Sequence, residues 1–177
     1  MAGDRRFGAR SLASAAFLSL LALVLTGCGA APSAPVPASA AAAFENPCIL
    51  LTLAEIEAAV GYTTTPGEPD TVYNPSCIWE GQGGGYDHVQ VVLDTGGTDT
   101  FKVLARFPFP SYTIAIREPL SGIGDEAAQA TKPSYTGATR ASVGVVFRTG
   151  DIVVHVYAHW ATPGAAVILA KLILSRL

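Results

Sequence analysis

The chain has 177 residues, 50% of them hydrophobic and 14% charged, with a formal net charge of −3. Its mean hydropathy of +0.38 would suit a membrane protein. No stretch beyond residue 27, however, reaches the roughly 18 consecutive apolar residues that a span requires. The balance of 11 Lys and Arg against 14 Asp and Glu excludes a basic nucleic-acid binder and leaves no polybasic arm for anionic lipid.

The apolar excess has one main source, the N-terminus. Arg5, Arg6 and Arg10 form a basic start, and residues 12–25 are an apolar core. Small residues follow, the arrangement of a secretory signal. Its end, Leu25-Thr26-Gly27-Cys28, resembles a bacterial lipobox. By that resemblance residues 1–27 are removed and Cys28 becomes the first residue, with diacylglycerol on its thiol and acyl chains such as palmitate holding it in a membrane. Two such chains suffice for stable anchoring without a span. Residues 29–43 contain only Gly, Ala, Pro, Ser and Val, with no charge and no apolar periodicity. Together with Cys28 they read as a tether over 28–43, reaching roughly 20 Å as a coil and roughly 50 Å fully extended. A single domain is then expected over 44–177. Without Asp4 and the three leader arginines, 8 basic residues face 13 acidic ones, a charge of −5. An acidic domain of this kind is not expected to lie on anionic headgroups.

Three cysteines are present, Cys28, Cys48 and Cys77. With Cys28 lipidated, two remain in an exported, oxidising setting, where a disulfide between them is expected. Neither lies in a Cys-x-x-Cys pair, which argues against a redox or zinc site.

Along the domain, Thr52-Leu53-Ala54-Glu55 is a capping box, and Leu53, Ile56 and Val60 share one helical face before Gly61 stops the helix. Residues 63–75, with three prolines, read as a loop. Cys77-Ile78-Trp79 starts a strand, and the glycines of 81–85 make a hairpin connection. They lack the Gly-Lys-Ser/Thr ending of a phosphate loop. Val89, Val91 and Leu93 alternate with His88, Gln90, Val92 and Asp94 in a second strand. Residues 98–107 suit a helix with Phe101, Leu104 and Ala105 on one side, stopped by Pro108. Ile114 and Ile116 suggest another strand, and 119–128 a loop. Val143, Val145 and Phe147, a Thr149-Gly150-Asp151 turn, and Ile152, Val154, Val156, Ala158 and Trp160 form the clearest hairpin. Thr162-Pro163 then reads as an N-cap and first-turn proline of a helix ending near Arg176. The expected fold is α+β: an antiparallel sheet of about five strands, helices packed on one face, and one disulfide.

Chemistry-bearing motifs are sparse. His155 and His159 point the same way on a strand but lie about 13 Å apart, too far for one metal; no metal and no cofactor are expected. Asp94-Thr95-Gly96 matches the triplet of aspartic proteases, but that chemistry needs a second carboxylate, and only one copy is present. A strand ending in a turn explains it. Gly-x-Ser-x-Gly and Ser-x-x-Lys are absent. Asp125-Glu126 beside Gly122 and Gly124 suits a solvated turn. Trp79, Tyr86, Tyr157 and Trp160 are candidates for a cleft lining, with Trp160 better suited to the core.

Several features together resemble a family of actinobacterial lipoproteins with a domain of unknown function. They are the lipobox at Cys28, the Ala/Pro/Ser tether, Asn46-Pro47-Cys48-Ile49-Leu50-Leu51-Thr52 opening a short helix, Cys77-Ile78-Trp79, and Leu120-Ser121-Gly122-Ile123-Gly124-Asp125-Glu126-Ala127. The resemblance implies an actinobacterial source, the Cys48–Cys77 pairing and the extracytoplasmic face of the cell membrane; it implies no catalytic residue. The expectation is a non-enzymatic envelope module, held to the membrane through Cys28. It would bind an envelope protein or a small molecule through His155, Tyr157 and His159 on the exposed sheet face, or through loops that include Gly124 and Asp125. Nucleic acid is not an expected partner. A hydrolase whose residues converge only in three dimensions, and a purely structural surface protein, are the alternatives.

Overall fold

The computed structural model describes residues 40–70, 74–83, 87–106, 116–132 and 140–177. Cys28, most of the tether, Tyr86 and the Ile114 segment lie outside them. The described residues form one antiparallel sheet with helices on both faces. Its strands are β1 (Glu68–Asp70), β2 (Ser76–Glu80), β3 (His88–Thr95), β4 (Ile116–Leu120), β5 (Glu126–Lys132), β6 (Ala141–Thr149) and β7 (Ile152–Ala161), in the spatial order β1-β2-β3-β7-β6-β5-β4. The helices are α1 (Ala40–Glu45), α2 (Leu53–Val60), α3 (Gly97–Arg106) and α4 (Ala165–Leu174), with a 3-10 turn at Pro47–Leu50.

The β6–β7 hairpin forms as its alternation predicts, turning at Gly150 in the left-handed region (φ 57°). Val154, Val156 and Ala158 of β7 face one side, level with Val89, Val91 and Leu93 of β3, and all six are fully buried. Strand alternation sends Val153, His155, Tyr157 and His159 to the opposite face. β7 therefore has a strand on each side and a packed core on one face.

Three expectations are corrected. The sheet has seven strands, not about five. Glu68–Asp70 lies in the expected loop 63–75 and the start of β5 in the expected loop 119–128, yet both pair: β1 with β2, and β5 between β4 and β6. Pro69 and Pro119 lie on the two edge strands, where a missing N–H costs no ladder bond. Nor do the helices share one face. α1, α2 and α4 pack on the Val154–Val156 side, with Ala43, Ile56, Val60, Leu169 and Ile173 in a common core. α3 packs on the other, where Phe101 meets Val146 and Val153. An amphipathic helix must bury its apolar stripe, but either face of the sheet can receive it. Helix α1 starts at Ala40, inside the stretch expected to be tether, and its Ala43 and Phe44 reach the main core.

Local signals shape the helical layer. Thr52 and Glu55 form the full capping box, and Gly61 closes α2 in the left-handed conformation (φ 77°). Thr162 is not the cap of α4. Its hydroxyl donates to the Ala59 carbonyl at 2.6 Å, and Gly164 (φ 85°) precedes the first turn. Thr162 thus joins the end of α2 to the start of α4. At the other end Arg176, only 7% exposed, donates to the Leu50 carbonyl and to both Glu55 oxygens. The two helices therefore run antiparallel, tied at both ends. Cys48 and Cys77 are disulfide-bonded, which pins the 3-10 turn to β2.

The Arg176 guanidinium holds the Glu55 carboxyl down at about 2. An unfolded Glu titrates near 4.3, so the native state favours the ionised form. The stability this contributes is complete above about 4.3 and is lost as pH falls toward 2. Urea midpoints should therefore drop between pH 5 and pH 2. Glu55→Gln should be less stable by about 2 kcal/mol at pH 6, the scale of a charge-assisted hydrogen bond, and should lose less across the acid window. An acid slope unchanged in Glu55→Gln would refute the pairing. Removing the disulfide with Cys48→Ala and Cys77→Ala together opens a loop of 29 residues' separation and should cost about 3.5 kcal/mol in the chain-entropy model. Urea unfolding with and without reductant measures this, and the double variant should ignore reductant.

Candidate functional site

The chemistry lies on the α3 side of the sheet, on the part that α3 leaves uncovered. In register across the strands, Gln90 of β3 lies beside Tyr157 of β7, Val92 beside His155, and Glu80 of β2 beside His88. Each step along β7 moves a side chain to the other face, so His155, Tyr157 and His159 share one side, as the alternation predicts.

Tyr157 and His159 are joined there by His88. The His88 and His159 rings stack with centroids 5.5 Å apart and planes 14° from parallel. Tyr157 lies 5.3 Å from His88 and 6.0 Å from His159. Trp160 meets His159 edge-on at 5.8 Å. These four side chains are all half-buried. Rings at these separations gain quadrupolar attraction and still present apolar faces beside polar ring atoms.

Backbone geometry explains how Trp160 joins this group. It has φ 52°, the one non-glycine residue with positive φ among the described residues. The β6–β7 register shifts beside it, between Ala141 and Val143. A bulge of this kind re-aims a side chain at a strand end. The core position falls instead to Trp79, 2% exposed.

Tyr62, just past α2 and packed against the main core, ties to the cluster's backbone. Its hydroxyl donates to the His159 carbonyl at 3.1 Å, and the Arg140 guanidinium lies 5.6 Å over its ring. Burial, aided by Asp87, pushes the Tyr62 phenol above its ordinary value, so it stays a neutral donor. Arg140 also donates to the Gly61 carbonyl at 3.3 Å.

The other expected positions sit elsewhere. His155 is one level down, between Val92 and Val146. Gly124 and Asp125 lie at the opposite end of β7, six residues from His159 along the strand, or about 20 Å. The Asp125 carboxylate accepts from the Gly150 N–H at 2.9 Å and from Arg148 at 3.0 Å, and its own N–H donates to the Arg148 carbonyl at 2.7 Å. Arg148 also pairs with Glu126 at 3.0 Å. These residues lock the 121–125 turn onto the β6–β7 hairpin. The expected surface thus divides into an imidazole–aromatic cluster and a structural clasp. The Asp94-Thr95-Gly96 triplet is a strand end, with Asp94 accepting from the Thr95 N–H at 2.7 Å. Among the described residues, no three His, Cys, Asp or Glu side chains are placed to hold a metal ion.

A clasp this close tolerates little. Gly124 has φ 59°, and an added Cβ would collide with the Arg148 carbonyl. Gly124→Ala should destabilise by about 2–3 kcal/mol, from backbone strain plus displacement of the hairpin, as read from the thermal midpoint. Gly122→Ala shares the positive φ (76°) but meets open space, and should cost less. Equal losses would mean that the clasp is not the constraint.

Compared with models of known protein families and with curated proteins, the chain matches none.

Proposed function

We propose that this protein is a lipid-anchored cell-envelope module that binds a partner protein or a small polar ligand and does no covalent chemistry. The observation that carries the binding role is the convergence of His88, Tyr157, His159 and Trp160 into one half-buried group of rings. Three strand positions and a bulge are spent on it. Core packing does not require it, because the main core lies on the other face. Imidazoles and a phenol beside flat ring faces suit a ligand that offers hydrogen bonds together with an apolar plane.

The anchoring role is supported by the basic start, the apolar core and Leu25-Thr26-Gly27-Cys28, and by the resemblance to actinobacterial lipoproteins. No helix among the described residues is long and apolar enough to cross a membrane. Attachment in this reading belongs to the lipid on Cys28, placing the domain at the extracytoplasmic face of the membrane.

Both parts are testable in intact cells. Cys28→Ala should move the protein from the membrane fraction to the soluble fraction and abolish its labelling by radioactive palmitate. A protein that stays membrane-bound without Cys28 would overturn the anchor. A photo-crosslinking residue at Gln90, within the cluster, should give discrete adducts that fall at least tenfold in Tyr157→Ala with His159→Ala. The same residue at Thr98, on α3, should give none. Equal adducts at both positions, or none at Gln90, would reject the site.

A further inference from the structure

We propose that the outer face of α2 and α4 lies against the bilayer surface, turning the His–Tyr face of the sheet away from it. The inference rests on the lipid-anchor reading and adds an orientation to it.

Three independent features point this way. The first is where the chain enters the fold. Only 11 residues separate Cys28 from Ala40, which bounds their span at about 40 Å. They lead into α1, whose Ala43 and Phe44 pack in the same core as α2 and α4. The chain therefore enters α1 on the helical side of the sheet. The second is exposed apolar surface. Of the four large hydrophobic side chains exposed among the described residues, Ile49 (46%), Leu53 (38%) and Ile168 (50%) belong to the helical layer. Only Val103 lies on α3.

The third is charge. The exposed positions of α2 and α4 are Leu53, Ala54, Ala58, Ile168 and Lys171. Glu55 is neutralised by Arg176, and Glu57 accepts from the Thr64 N–H at 3.0 Å. Among the exposed positions of the two helices Lys171 carries the one charge, and its sign and long stem suit an anionic headgroup layer, while α1 adds the exposed Glu45. Four strand carboxylates gather toward the β1–β3 part of the far face. Cross-strand register puts Glu68, Asp70, Glu80 and Asp94 on the side of Val153 and His155, on three strands without Lys or Arg, while Glu126 on that side pairs with Arg148 and Glu118 falls on the helical side. An anionic membrane repels that part of the sheet face. A short tether raises the local concentration of the surface, so a shallow contact suffices.

The test uses the mature, lipidated full chain in vesicles of phosphatidylcholine with phosphatidylglycerol. With Cys28 acylated and Cys48 bonded to Cys77, an introduced cysteine is the single free thiol. A fluorophore at Ala58→Cys or Ile168→Cys should be quenched by bromine-labelled lipid tails at least threefold more than one at Glu80→Cys. Equal quenching at the three positions, or stronger quenching at Glu80→Cys, would overturn the orientation while flotation with the vesicles leaves the anchor intact. A chain that fails to float would overturn the anchor and the orientation together.

Discussion

Alternation along β7 is the constraint on which both halves of the molecule depend. One set of its side chains, Val154, Val156 and Ala158, is sealed against the helical layer. The other set carries His155, Tyr157 and His159. A slip of one residue would move the imidazoles into the core and the valines into solvent, at a cost of several kcal/mol from lost burial and stranded polar groups. The register that keeps the core dry is therefore the same one that assembles the ring cluster. Strands on both sides of β7 leave it no edge along which to slide.

The helical layer answers to a second constraint, applied at its two ends. Thr162 ties the end of α2 to the start of α4, and Arg176 ties the far end of α4 to Glu55 and the Leu50 carbonyl. The Cys48–Cys77 disulfide carries that restraint into β2. Most of these links are sequence-distant, so they form only with the whole fold. Arg176 is nearly buried, and a buried guanidinium is tolerated because its donors meet a carbonyl and a carboxylate. The layer is thereby cross-tied, and both α2 and α4 pack on β7.

What was legible in the sequence was local or periodic. The capping box of α2, its glycine stop and the β6–β7 hairpin need only neighbouring residues, and each forms as expected. The shared face of His155, Tyr157 and His159 follows from a period of two. β5 was hidden because Glu-Ala-Ala-Gln-Ala-Thr-Lys has little strand propensity. It is a strand because β4 and β6 supply partners on either side. The side of the sheet that α3 covers was equally hidden, since its apolar stripe names no partner. In the site, His88 meets His159 only because β3 pairs with β7, about 70 residues later in the chain. Tyr62 comes from a helix end with no motif. Non-local pairing brought these two in, and no local signal could have found them. Asp125 was visible as part of a turn, but its clasp on Gly150 required the hairpin.

Net charge shows the same limit in another form. A value of −5 for the domain suggests repulsion from an anionic surface in every orientation, and that would hold if the charges were evenly spread. They are not. Glu55 is cancelled by Arg176, and the exposed positions of α2 and α4 add only Lys171. β1, β2 and β3 then collect four carboxylates on the opposite face, with no Lys or Arg among them. Screening limits these interactions to roughly 8 Å at physiological salt. A surface in contact with the domain therefore feels the face that touches it rather than the sum. A sheet with unlike faces turns an acidic chain into a polar object with one side compatible with a membrane. In the proposed orientation the imidazole–aromatic cluster lies on the other side, turned away from the bilayer.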